Sequence, residues 1–289
     1  MTEGLVWLNG EFLDFASAKV SVEDRGFQFG DGIYEVIRVY QGKPFAFEDH
    51  LQRLQRSADA IELTLPYSLD ALRDVGYELI ERTQLGDAEL YLQVTRGVAP
   101  RAHLFPSDAT PTVVMTIRRL RTIPPEVWEK GIAVITVPDE RWRRSDVKSI
   151  CLLPHVLAKE RARRSGAYEA LFVRDGCVLE GASSNLFIYD GTALITPVAD
   201  QRILHGISRA HLIEVARGRG YTVVERDIRP PEVIAAQEVL LTSTTLEVAP
   251  VIAVDGTPIG SGVPGPIYRD LSQAFREMVR AHVSRATAR

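Results

Sequence analysis

Two adjacent prolines, Pro124 and Pro125, follow the charged run RRLRTI and break the chain before its midpoint. Proline removes an amide donor and fixes φ, so neither a helix interior nor a central strand runs through such a pair. With exposed charge around it, the stretch 119–126 reads as a linker. A chain of 289 residues exceeds what one hydrophobic core usually organises, so the break predicts two domains, residues 1–120 and 121–289, sharing a cleft. A single large α/β domain is the alternative.

Each side of the linker mixes strand and helix patterns, which predicts an α+β fold. VWLNGEFLD alternates around Asn9-Gly10, a pair suited to the positive φ angles of a two-residue hairpin. IYEVIRVY (33–40) reads as a strand, with a return strand through Phe45 and Phe47. Leu51, Leu54, Ala58 and Ile61 recur at helical spacing and predict a helix over 48–61, followed by another near 68–84 and by strands at 89–96 and 111–118. Beyond the linker come a strand at 132–137, a helix near 155–164, and hairpin signals at Asp175-Gly176 and Asp190-Gly191. Helices are expected near 208–218, 230–236 and 265–282, with a strand over 238–243. No internal repeat is present.

A formal net charge of -4 gives no general field for nucleic acid or an anionic membrane, so an anion would be held at a local site. No run reaches the roughly 20 apolar residues of a spanning helix, and MTEGLVWLNG has no signal-peptide pattern, which makes the cytoplasm the expected location. Cys151 and Cys177 are expected as small core residues. His50, His155, His205, His211 and His282 show no metal-ligand spacing, and no metal is expected. Gly30-Asp31-Gly32 is read as a turn and not a dinucleotide loop, because no βα unit follows it. The arginines of RWRR (141–144) and ERARR (160–164) are expected on solvated faces.

The chain has 34 Lys plus Arg but only five lysines, so Lys148, between Val147 and Ile150, stands out. Desolvation disfavours an ammonium and favours the free amine needed for a Schiff base; a lysine snorkelling from a strand edge is the alternative. Glu180, before a small-residue turn, would hold a heterocyclic nitrogen protonated, or else is a hairpin acid facing solvent. Gly206-Ile207-Ser208 stands at a helix start suited to phosphate, although N-capping by Ser208 explains the same residues. Ser243-Thr244 adds donors after a strand, and Arg53, placed on the polar side of its helix, suits bidentate phosphate binding. No catalytic Ser-His-Asp order or cysteine nucleophile is read from the chain.

The blocks FGDGIYEVIRVY, HLQRLQRSA, TRGVAPRAH, SDVKSICLLPHVLAK, LEGASSNLF, RILHGISR and LTSTTLEVAPV occur in one order across nearly the whole chain. In that order they resemble the fold-type-IV pyridoxal-phosphate enzymes, most closely the D-amino-acid aminotransferase subgroup. The resemblance implies the two-domain fold of that family, with pyridoxal 5′-phosphate bound between the domains. It implies that Lys148 is the Schiff-base lysine and proton shuttle, and that Glu180 partners the pyridine nitrogen. Arg53, Ile207, Ser208, Ser243 and Thr244 would take the phosphate, and Leu204 would pack on the ring.

Tyr34, Arg101 and His103 would hold the substrate α-carboxylate, Arg101 and His103 reaching across a homodimer. Ala182 and His205 depart slightly from the family pattern, and no substrate preference is read from either. The implied reaction is transamination between a D-amino acid of the alanine or glutamate class and a 2-oxo acid. Branched-chain L-aminotransferase and aminodeoxychorismate lyase are the alternatives within the family, and Arg101 and His103 argue against both.

Overall fold

The structure, a computed structural model, describes residues 4–287; Met1–Glu3 of the opening stretch read for a leader, and the last two residues, lie outside it. The chain divides into two compact units. One gathers the residues up to Arg121, Val147–Cys151 and those from His282 onward; the other comprises Thr122–Asp146 and Leu152–Ala281.

In the first unit, β1 (Gly4–Leu8) and β2 (Glu11–Leu13) pair as the hairpin expected at Asn9-Gly10, whose φ values are 48° and 106°. A short helix, α1 (Arg25–Phe29), has no counterpart in the sequence reading. The Asp24 side chain caps it by accepting from Gly26 N, and Gly30 ends it at φ 69°. The Gly-Asp-Gly turn then leads into β3 (Gly32–Tyr40) and its partner β4 (Lys43–Pro44). The return strand is shorter than expected. Pro44 ends the ladder, Ala46 turns left-handed, and Phe47 opens α2 (Phe47–Ala60) instead of extending the strand. α3 (Leu69–Thr83), capped by Ser68, leads to β5 (Ala88–Thr95) and β6 (Thr112–Arg119).

These strands form an antiparallel sheet ordered β2-β1-β6-β5-β3-β4. Alternation along β3 buries Ile33, Glu35, Ile37 and Val39 on the face where Leu51 and Leu54 of α2 pack. Each such aliphatic side chain contributes about 1.5–3 kcal/mol by leaving water.

The second unit opens with α4 (Glu126–Glu129), β7 (Ile132–Pro138) and α5 (Leu153–Arg164). α5 starts before the expected 155 because Pro154 is tolerated in a first turn. β8 (Glu169–Arg174) and β9 (Cys177–Gly181) meet at Asp175-Gly176, while β10 (Asn185–Tyr189) and β11 (Leu194–Thr196) meet at Asp190-Gly191. There follow α6 (Ile207–Gly218), β12 (Val223–Glu225), α7 (Pro230–Ala235) and β13 (Glu238–Ser243). The chain ends with β14 (Glu247–Val254), β15 (Thr257–Pro258) and α8 (Pro266–Thr287). The sheet runs β12-β11-β10-β13-β14-β7-β8-β9, and Asn185 of β10 also pairs with Glu180 of β9, which joins the two ends of a six-strand path.

Lys148, expected with residues 121–289, belongs by its packing to the first unit. Its carbonyl accepts from Tyr34 N at 3.0 Å, and its amide donates to Ser57 Oγ at 3.1 Å. Val147 joins the first core, and Ser149 bridges to Ile33. All these partners lie far away in sequence, where local spacing carries no signal. Cys177 is buried as expected, but Cys151 is exposed, because it lies on the connection into α5 and not in either core.

Candidate active site

Lys148 is half-buried, and its Nζ sits 4.2 Å from the centroid of the Tyr34 ring, which stacks on Tyr91. An ammonium is attracted to that ring face, and the aromatic wall limits the directions its chain can take. Tyr34 reaches this place because β3 alternates: Ile33 and Glu35 turn to the core and Tyr34 to the opposite face.

On the buried face, Glu35 accepts from Arg53 Nε (2.7 Å) and Nη2 (2.8 Å) and from His50 Nδ1 (2.7 Å). Burial pushes the Glu35 carboxyl up, but the Arg53 guanidinium more than reverses this and holds it well below the usual carboxylate range. Burial lowers His50, with Glu35 opposing, and the positive charges of Arg53 and Lys148 lower it further. A carboxylate only accepts, so the imidazole proton sits on Nδ1. Arg53 was expected on the polar side of its helix; it is 4% exposed, on the buried stripe, because Glu35 neutralises it there. The pair fixes the plane of the guanidinium.

Arg101 and His103 lie on an exposed loop between β5 and β6. Arg101 Nη1 donates to Gln28 O at 3.2 Å, and the Phe29 ring is near both side chains, 4.5 Å from the Arg101 guanidinium and 5.6 Å from the His103 ring.

In the second unit, Glu180 is 4% exposed and not the solvent-facing hairpin acid that was the alternative. Its carboxylate accepts from Arg141 Nη1, from Asn185 Nδ2 at 3.0 Å and from Leu204 N at 3.1 Å. Burial pushes this carboxyl up to about 7; Arg141 and the Leu204 amide pull it down, and nearby Asp139 adds to the rise. The Leu204 amide is shared by both oxygens at 3.1 Å, so a further N–H would take over one of these two long contacts.

Arg141 was expected on a solvated face, yet it is buried. Asp139 accepts twice from its guanidinium and also pairs with Arg174, so its charge is compensated inside the unit. Arg163 and Arg164 do lie exposed, paired with Glu160.

Leu204 shares the donor set of Glu180 through its amide, and its carbonyl accepts from Asn185 Nδ2 at 2.9 Å. The N-cap of α6 is Gly206, without a side-chain cap, and Ser208 sits inside the first turn, so capping by Ser208 does not account for these residues. First-turn amides with no capping side chain, at the positive end of a 12-residue helix, suit an anion. Ser243 ends β13 and its Oγ accepts from Leu246 N at 3.1 Å, a strand-terminating role; Thr244 is half-buried beside it. A buried acceptor for a ring N–H and an uncapped helix start for a phosphate, held through the Leu204–Gly206 segment, fit pyridoxal phosphate.

Glu35, His50, Arg141, Asp139 and Asn185 went unremarked in the sequence reading as parts of these networks. Glu35 left a trace, a carboxylate on the apolar register of an alternating strand, and His50 and Arg53 fall on the apolar stripe of α2. Arg141 left little, since of its partners only Asp139 is local and Glu180 lies 39 residues away. Among the described residues no group of His, Cys, Asp and Glu is placed to hold a metal, and no helix is long and apolar enough to cross a membrane.

The family model for amino-transferase class IV matches residues 32–254. The D-alanine aminotransferase of Bacillus licheniformis is 38% identical over 97% of this chain and 99% of its own length. That of Staphylococcus haemolyticus is 41% identical over 96% and 99%. Among solved structures, the branched-chain amino acid aminotransferase of Escherichia coli superposes with a TM-score of 0.89 at 27% identity, covering 94% of this chain and 93% of that one.

Proposed function

Because the chain belongs to the amino-transferase class IV family, we propose that it moves an amino group between a D-amino acid and a 2-oxo acid, with pyridoxal 5′-phosphate as cofactor. The observation that carries the choice of D-amino acids is the 38–41% identity to D-alanine aminotransferases over nearly the whole chain, against 27% to the branched-chain enzyme. The likeness in fold to branched-chain aminotransferases supports the second reading, an L-specific enzyme.

In this reading Lys148, Glu180, Leu204 and Arg53 hold the cofactor, together with Ile207, Ser208, Ser243 and Thr244. Bound there, the cofactor supplies an electron sink for the pair released when the Cα–H bond breaks. Lys148 Nζ would anchor it and, as a free amine, would take the Cα proton; a positioned base of this kind is worth about 10²–10⁴ in rate. Glu180, whose ionised form Arg141, Asn185 and Leu204 stabilise and a ring N–H would stabilise further, would keep the ring nitrogen protonated. Arg53 and the α6 amides would donate hydrogen bonds to the phosphate.

Tyr34, Arg101 and His103 take the substrate carboxylate and set which isomer presents its hydrogen to Lys148. We also place the enzyme in the reducing cytoplasm, as a homodimer in which Arg101 and His103 serve the neighbour's site. The exposure of Leu104 (83%) and Phe105 (56%) on that loop supports a covering partner.

The test is initial rates with D-alanine, D-glutamate and L-leucine as donors to pyruvate and 2-oxoglutarate. D-donors are expected to react and L-leucine not. Preference for L-leucine returns the chain to the branched-chain reading.

A further inference from the structure

The 101–105 loop buries little of itself, yet it must present Arg101 and His103 in a fixed pose. We infer that Asp31, clamped between Arg25 and Arg96, is the positioning group for this loop and so sets the affinity for the substrate carboxylate. The inference rests on the assignment of Arg101 and His103 made above.

Asp31 accepts from Arg25 Nε at 2.8 Å and from Arg96 Nε at 2.9 and 3.1 Å. Both arginines are buried, at 4% and 8% exposure, so without the carboxylate two desolvated cations would face each other. Each arginine then uses its far end on backbone. Arg25 Nη1 donates to Ala102 O (2.6 Å) and Leu104 O (3.3 Å), the carbonyls on either side of His103.

Arg96 donates to Ile61 O (2.8 Å) and Glu62 O (2.9 Å) just after α2, and its guanidinium lies 3.8 Å from the Phe105 ring centroid. Gln28 Nε2 adds a bond to Ala99 O at 3.3 Å. The loop is therefore held by charge-assisted hydrogen bonds radiating from one carboxylate, where a core-packed segment would be held by apolar burial. This gives a role to two motifs the chemistry leaves unused, the Asp of Gly30-Asp31-Gly32 and the Arg of Thr95-Arg96-Gly97. Preorganising the loop removes ordering entropy from substrate binding, which is felt in KM before kcat.

The variant that tests this is Arg25→Lys, which keeps a cation for Asp31 but has no second arm for the two carbonyls. In the cofactor-free protein, amide hydrogen exchange over 101–105 should quicken at least about tenfold. In the holoenzyme, KM for D-alanine should rise about tenfold while kcat falls less, the scale expected for a slight misplacement of a binding group. Asp31→Asn should give the same signature more strongly; if it folds poorly, Arg25→Lys still decides, because it retains the ion pair. Combined with Arg101→Ala and His103→Ala together, Arg25→Lys should add no further rise in KM. Unchanged exchange, a fall in kcat larger than the change in KM, or full additivity with the Arg101→Ala, His103→Ala double variant overturns the inference. If Arg101→Ala alone leaves KM unmoved, it is the carboxylate assignment that fails, and the exchange measurement still decides whether the clamp holds the loop.

Discussion

Glu180→Gln replaces a buried carboxyl by a group of the same shape that does not titrate. An ordinary glutamate titrates near 4.5; here burial, opposed by Arg141 and the Leu204 amide, pushes the carboxyl up to about 7. Between those values the folded protein retains a proton that the unfolded chain has released, so stability falls as pH rises through this window. At about 1.4 kcal/mol per pH unit the contribution is roughly 3 kcal/mol, fully present below pH 4.5 and lost as pH passes 7. Urea unfolding of the cofactor-free protein at a series of pH values across this window measures it. The wild-type curve should fall relative to that of Glu180→Gln by roughly 2–3 kcal/mol, an order-of-magnitude figure for so buried a group. A protonated ring nitrogen beside Glu180 would draw its pKa back down, so adding cofactor should flatten the wild-type slope and leave the variant's unchanged. Turnover should drop much more than cofactor affinity, as expected of a charge felt mainly in the transition state. Parallel stability curves for the two cofactor-free proteins would refute the burial argument, and equal turnover would make Glu180 a structural acid.

Two further outcomes follow from the same geometry. Lys148→Ala should lower transamination by about 10²–10⁴ or more with circular dichroism unchanged, because the bonds to Tyr34 and Ser57 use only the backbone; borohydride reduction of the wild type should tag Lys148, and a tag on Lys159 or Lys130 would sink its role. Gly206→Ala drives a Cβ into Asn185 Oδ1, so it should cost about 1–3 kcal/mol in urea unfolding and weaken cofactor binding in a fluorescence titration, whereas wild-type behaviour would show that the start of α6 adapts freely.

Local pattern alone determined the hairpin at Asn9-Gly10 and the strand 238–243, and placed helices near 68–84 and 208–218 where the structure has 69–83 and 207–218. The order of motifs, through its resemblance to the family, made Lys148 and Glu180 the candidates for the cofactor. Local pattern could not reveal that Lys148 packs with the first unit, because its partners Tyr34 and Ser57 lie 114 and 91 residues away. Nor could it show that Arg53 and Arg141 are buried. In sequence each is an arginine among polar neighbours, and only the approach of Glu35 on β3 to α2, or of Glu180 to Arg141 and its local partner Asp139, completes the opposite charge that makes burial tolerable. Periodicity reports which side of an element faces a core, while the compensation of a buried charge depends on groups brought together by the tertiary fold.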